Sequence, residues 1–202
     1  CRGDVDKILS ASHHLLKLID DIFDVSTIET GKVQLHLATF GVRGMMQDVI
    51  SIMRPLADAN NNELIARVEE TVSSMEGDLL RTKQVLFNVI NNACTFTKGG
   101  SIEVRVERAG RLERSGYRFI VRDNGCGMTE AEKLRAFERF HSGGTDSYVG
   151  TRSGLGLATS RVYCEAMDGT IDIVSNEKVG TTVSIWLPES AVSQPAGNII
   201  AA

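Results

Sequence analysis

The 202-residue sequence has no apolar run approaching the ~20 residues that span a bilayer, so a membrane crossing is expected only through parts outside this chain. It opens with Cys1-Arg2-Gly3-Asp4 and lacks the basic stretch and apolar segment of a secretory signal. Basic residues are not in excess: the formal net charge of −4 argues against a nucleic-acid surface. The four cysteines, Cys1, Cys94, Cys126 and Cys164, lie far apart, with no Cys-x-x-Cys pair and no histidine at zinc spacing. Free thiols in a reducing, cytoplasmic compartment are therefore expected rather than a disulfide framework. An initiating methionine is missing too, so the chain reads as a segment of a longer protein. There is no internal repeat. What is present is 42% apolar content, enough for one packed domain with or without an extra element.

The chain is organised around Arg122-Asp123-Asn124-Gly125-Cys126-Gly127-Met128. Before it, Tyr117-Arg118-Phe119-Ile120-Val121 alternates and is aromatic and β-branched, which predicts a strand. After it, Thr129-Glu130-Ala131-Glu132 has the form of a capping box and opens a helix. The carboxylate of Asp123 can accept from an amino group, and the glycine pair lets backbone approach a ligand. Taken alone, the same residues also make an ordinary strand-to-helix turn.

From the N-terminus, Val5, Ile8, Ser12, Leu15, Ile19, Ile22 and Ser26 follow heptad steps, and Leu9, Leu16 and Phe23 run beside them. Residues 4–30 thus read as a long helix in a bundle, stopped by Gly31, or else as a core helix of the next domain. A strand is expected over residues 33–40 and a helix from Val42 to about Ala59, with Pro55 implying a kink or early end. Asn60-Asn61-Asn62 reads as a turn, and residues 63–72 as a strand. A helix over 78–96 places Asn88 and Asn92 four apart on one side, natural as ligands of a phosphate-bound cation. Strands at 102–106 and 117–121 are joined by a polar stretch. Residues 141–153 are rich in glycine and small polar groups and read as a mobile loop, running into Gly154-Leu155-Gly156-Leu157 at a helix start suited to phosphates. A hairpin over 170–187 completes the pattern.

Asn88/Asn92, Asp123-Asn124-Gly125-Cys126-Gly127, Phe137-Glu138-Arg139-Phe140 and Gly154-Leu155-Gly156-Leu157 stand in an order that resembles the N, G1, F and G2 boxes of sensor histidine kinases. Gly180-Thr181-Thr182 and the strand ending Leu187-Pro188 fit the last glycine box and the family's ending. The resemblance covers residues 5–188. It implies an α/β (α+β) two-layer sandwich, a mixed sheet with helices on one face, preceded by a long bundle helix. Residues 1–31 would be the second dimerisation helix, 32–189 the ATP-binding catalytic domain and 190–202 a tail or linker. Asp123 would take the adenine amino group with Gly125 and Gly127 beside the base. Asn92 would hold Mg²⁺ on the phosphates, supported by Asn88. Ser153, Gly154, Leu155 and Gly156 would lie against the phosphates, and Phe137 and Phe140 would anchor an ATP lid.

The resemblance further implies homodimerisation through the helix bundle and a response regulator or fused receiver as partner. Three departures bear on activity. Thr95 stands where the family usually has Lys, and Arg152-Ser153-Gly154-Leu155-Gly156 stands where its G2 box commonly reads Gly-Thr-Gly-Leu-Gly; Arg152 either supplies the missing charge or is a solvated lid residue. His13-His14 has neither the adjacent acid nor the proline of the acceptor box, so no catalytic residue is assigned in this chain and the phosphoacceptor is expected upstream. Asn88 replaces the Glu that ATP-hydrolysing relatives carry one turn before the metal-binding Asn, which favours a kinase over a GHKL-type ATPase. A pseudokinase-like ATP-sensing or partner-binding module is the alternative.

Overall fold

The computed structural model describes residues 33–138 and 154–190. The expected bundle helix at 4–30, the tail after 190, the loop at 141–153 and Phe140 lie outside those residues. Eleven elements follow in order: β1 (Leu37–Gly41), α1 (Val42–Ala59), β2 (Glu63–Val68), β3 (Ser74–Asp78), α2 (Leu79–Phe96), β4 (Ser101–Arg111), β5 (Arg114–Asp123), α3 (Glu130–Arg135), α4 (Gly156–Ala166), β6 (Thr170–Asn176) and β7 (Gly180–Pro188). Five strands form one sheet in the order β2-β4-β5-β7-β6. Only β2 and β4 run parallel; the other neighbours are antiparallel. This is the mixed sheet expected from the sequence.

Alternation decides which face is covered. Ile102, Val104 and Val106 of β4, Tyr117, Phe119 and Val121 of β5, and Val183, Ile185 and Leu187 of β7 form one buried row. Against them lie Met46, Val49 and Met53 of α1, Val85, Leu86, Val89 and Ile90 of α2, and Tyr163 and Cys164 of α4. The other face carries ion pairs, Arg67 and Arg105 with Glu103 and Arg118 with Glu107. Trp186 is buried on that face; its ring covers Gly116 and its Nε1–H donates to the Ala109 carbonyl at 2.9 Å. Two layers result, with helices on one face. Burial pushes the thiol of Cys94 up to about 11 and that of Cys164 to about 12, and both are free, as the cysteine spacing led us to expect.

The structure corrects several boundaries. The strand expected at 33–40 begins at Leu37, and the one expected at 63–72 ends at Val68. A further strand, β3, follows and pairs with β1 as a separate two-stranded sheet. Its sequence, Ser-Met-Glu-Gly-Asp, carries no strand signal; cross-strand pairing alone makes it one. α1 runs through Pro55, because Met53 and Ala57 on either side are both buried against the core. The polar stretch after residue 106 is not a loop: β4 and β5 continue to a two-residue turn at Leu112-Glu113. Both turn residues have positive φ, 47° and 62°, where glycine or asparagine would be favoured. The pair Leu112→Asn, Glu113→Gly should therefore stabilise the fold by about 1 kcal/mol, read as a higher denaturation midpoint at unchanged slope.

β3 also ties down both ends of the domain. The Asp78 carboxylate accepts from the backbone of Arg81, capping α2, and from the backbone of His36 at 2.8 Å. On the other side of β3, Glu76 N–H donates to the Glu189 carbonyl, and a parallel bridge links Glu76 to Ser190.

Candidate functional site

β5 ends at Asp123, an inward position of a buried row, so the strand delivers a carboxylate where an apolar side chain would otherwise fall. Asp123 is 9% exposed. Its Oδ1 accepts from the backbone N–H of Gly125 at 2.9 Å and of Thr181 at 3.3 Å. Among the described residues no hydrogen bond reaches Oδ2. Burial raises the pKa of this group, and the N–H bonds from Gly125 and Thr181 oppose the rise. The buried Thr97 hydroxyl opposes it weakly as well: it lies near the carboxylate but outside hydrogen-bonding geometry.

The turn after Asp123 is clamped from two sides. Cys126 N–H donates to the Phe96 carbonyl at the end of α2, and Lys178 N–H in the β6–β7 turn donates to the Cys126 carbonyl at 2.6 Å. Asn124 Oδ1 accepts from Ser101 N–H. A side chain at Gly125 would meet the Phe96 carbonyl; one at Gly127 would strike the Asn176 carbonyl; one at Gly180 would strike the Asp123 carbonyl. The glycines are thus required by the protein's own backbone before any ligand is considered. That reason differs from the close approach of a ligand expected from the sequence.

α2 connects this turn to the start of α4. Asn88 donates its amide to the Gly156 carbonyl at 3.1 Å and to Ser160 Oγ at 3.4 Å, clasping the two helices. Asn92, one turn on and half-buried, makes no side-chain hydrogen bond among the described residues. The two amides share the side of α2 that runs from the α4 start to the 123–127 turn. Gly154 and the buried Leu155 precede α4, whose first turn has no side-chain cap. Phe137 is partly buried on the core, with the Arg161 guanidinium of α4 at 5.0 Å from its ring. The capping box at Thr129 and Glu132 is formed as expected. Arg152, Ser153 and Phe140 lie outside the described residues. No cluster of three or more His, Cys, Asp and Glu that could hold a metal occurs among the described residues.

Sequence reasoning gave no site role to four residues here: Thr97 and Thr181 beside Asp123, Ser175 behind Thr181, and Asn62. Asn62 reads as a turn residue, yet it is buried and its amide donates to the carbonyls of Cys94 and Thr97, while Oδ1 accepts from Gly100 N–H. It satisfies the C-terminal end of α2, where the 123–127 turn rests. Asn62→Ala should cost about 2–4 kcal/mol, measured by chemical denaturation, since it leaves two buried carbonyls and the part-buried Gly100 N–H without their partner.

A five-stranded mixed sheet covered by helices on one face, with a buried carboxylate in a clamped glycine turn at the end of β5, makes this a two-layer α/β sandwich. The chain belongs to the histidine kinase-, DNA gyrase B- and HSP90-like ATPase family, which matches residues 77–191. It is 34% identical over 198 residues to the virulence sensor protein BvgS of Bordetella bronchiseptica, covering 96% of this chain and 16% of that protein. It is 32% identical over 200 residues to the circadian input-output histidine kinase CikA of Synechococcus elongatus, covering 96% and 26%. The chain thus spans only about a sixth to a quarter of these curated relatives. Among solved structures it is similar to full-length ShkA in complex with AMPPNP, with a TM-score of 0.78 and 25% identity over 96% of this chain and 40% of that one. Acinetobacter baumannii histidine kinase AdeS shares the fold, with a TM-score of 0.70 and 20% identity over 93% and 83%.

Proposed function

We propose that this chain is the ATP-binding catalytic portion of a two-component sensor histidine kinase and passes the γ-phosphate of ATP to a histidine outside this sequence. The observation that carries the reading is Asp123, held by two backbone N–H groups on Oδ1 with Oδ2 left as an acceptor, in a turn resting on the helix that carries Asn88 and Asn92. An amino group of adenine supplies the donor that Oδ2 lacks. The α4 start, with no side-chain cap, offers its N–H groups and dipole to phosphates. Asn92 would hold Mg²⁺ together with phosphate oxygens, and the ion would neutralise charge on the transferring group. Phe137, with Phe140, Arg152 and Ser153 beyond the described residues, would frame a lid over the nucleotide.

Asn88 commits its amide to α4 and cannot act as a base, which supports transfer over hydrolysis. Thr95 donates its hydroxyl to the Asn91 carbonyl at 2.7 Å, so it brings no cation to the phosphates, and Arg152 is the candidate replacement. The parent protein would dimerise through the bundle helix at residues 1–31, act on a response regulator or fused receiver, and work in the cytoplasm. No helix among the described residues is long and apolar enough to cross a membrane. Incubating the chain with labelled ATP and a separate acceptor helix bearing the family's histidine box should place acid-labile label on that helix. Label on this chain, abolished by substituting His13 and His14 together, would instead put the acceptor here. Binding of ATP without any transfer would point to the pseudokinase alternative.

A further inference from the structure

Inward positions on the edge strand β6 are Ile171, Ile173 and Ser175, so a hydroxyl occupies the last apolar slot. Ser175 is 1% exposed. Its Oγ donates to the Gly180 carbonyl at 3.1 Å and lies 2.8 Å from Thr181 Oγ1. A serine hydroxyl has one hydrogen. With that hydrogen on Gly180, the Thr181 hydroxyl must donate to Ser175, the arrangement that satisfies both contacts. Residues 180 and 181 are the two that bear on Asp123 from β7: the Gly180 backbone abuts the Asp123 carbonyl, and Thr181 N–H donates to Oδ1.

We propose that Ser175 is a positioning residue for Asp123: its hydroxyl fixes residues 180 and 181, which hold the carboxylate so that Oδ2 remains open to a donor on the nucleotide base. Ser175 touches neither the carboxylate nor the ligand. It acts through the backbone of β7. The proposal rests on the nucleotide reading above for its ligand, but its effect on Asp123 needs no ligand. The groups that bear on the carboxylate, Thr97 after α2, Gly125 in the turn and Thr181 on β7, are all neutral, so the N–H bonds from Gly125 and Thr181 are the main balance against burial.

Ser175→Ala tests this in two ways. In the nucleotide-free chain, the carboxylate ¹³C titration of Asp123 should move to higher pH, because the Thr181 N–H that favours the ionised form is loosened. ATP affinity at neutral pH should fall about tenfold, the scale of one hydrogen bond to a charged group. The acid limb of affinity against pH should rise with the titration. A loss of affinity that is uniform with pH, with the Asp123 titration unmoved, would overturn the proposal; so would no change in either measurement. If the parent chain binds no ATP, the proposed function fails, while the titration still decides the part of Ser175. Should the alanine variant not fold, Ser175→Cys, of similar volume and a weaker donor, is read by the same titration. A smaller upward shift is expected there, and no shift would again overturn it.

Discussion

Asp123→Asn is expected to weaken ATP binding by about 1–3 kcal/mol, roughly five- to 150-fold, while leaving the fold at least as stable. The amide keeps an acceptor for the N–H groups of Gly125 and Thr181, so the turn loses little. What changes is Oδ2, which becomes an NH₂ and opposes the donor that a bound adenine would present. Stability moves the other way because burial raises the carboxylate's pKa. A carboxylate whose folded pKa lies above its unfolded value binds a proton more readily when folded. The fold therefore loses stability as pH rises from the ordinary Asp range through the raised value, and recovers it as pH falls. Above the raised value the native chain carries that cost, and the neutral amide does not. Calorimetric titration and denaturation of the same two proteins check both halves. Unchanged affinity would remove Asp123 from the site.

Gly180→Ala should have the largest effect on the fold itself, about 3–5 kcal/mol of destabilisation. Gly180 has φ +129°, outside the range of L side chains, and its new methyl would be driven into the Asp123 carbonyl and close to the Asn124 Cα. Those are backbone atoms with no freedom to step aside. Such a loss is a large part of a typical domain's margin and should lower the melting temperature by roughly 10 °C or more. Gly156→Ala makes the contrast. There the methyl meets only Asn88 at 3.6–3.7 Å, an ordinary contact, and alanine suits a helix better than glycine by about 1 kcal/mol. The fold should be unharmed or slightly stabilised. If phosphates lie against the α4 start as proposed, ATP affinity in Gly156→Ala should nevertheless fall. Two glycines from two motifs thus separate by assay: one reports on folding, the other on ligand.

Helices and inward-facing strands were legible because burial imposes periodicity on the residues themselves. α1 and α2 were found to within one residue, and the hairpin of β6 and β7 follows from alternation about a turn. β3 was not legible, since its five residues carry no apolar alternation and owe their conformation to β1 across the ladder. The long β4–β5 hairpin was hidden because Leu112-Glu113 is poor turn chemistry held by the strands around it. In the site, Asp123, Asn88 and Asn92 could be chosen because their chemistry is conspicuous in a short stretch. Thr97, Thr181, Ser175 and Asn62 could not, because each matters through a contact with residues distant in sequence. For Gly125 and Gly127 the sequence suggested only the approach of a ligand; it cannot reveal that the backbones of Phe96 and Asn176 already fill the space beside them, as that of Asp123 does beside Gly180.

β3 is flanked on one side by the first described strand and on the other by the last described residues. Leu37 opposes Asp78 on one side of the strand, and Ser190 bridges Glu76 on the other. Two strand spacings and a two-residue offset put the points of entry and departure roughly 12 Å apart. The points of entry and departure therefore flank the same strand at one edge of the sandwich. Modules spliced before and after it would be neighbours of each other, brought together by the domain without being separated by its width. A circular permutant that joins residues 190 and 37 through a short glycine–serine linker and opens at the Leu112-Glu113 tip should fold with the same sheet order.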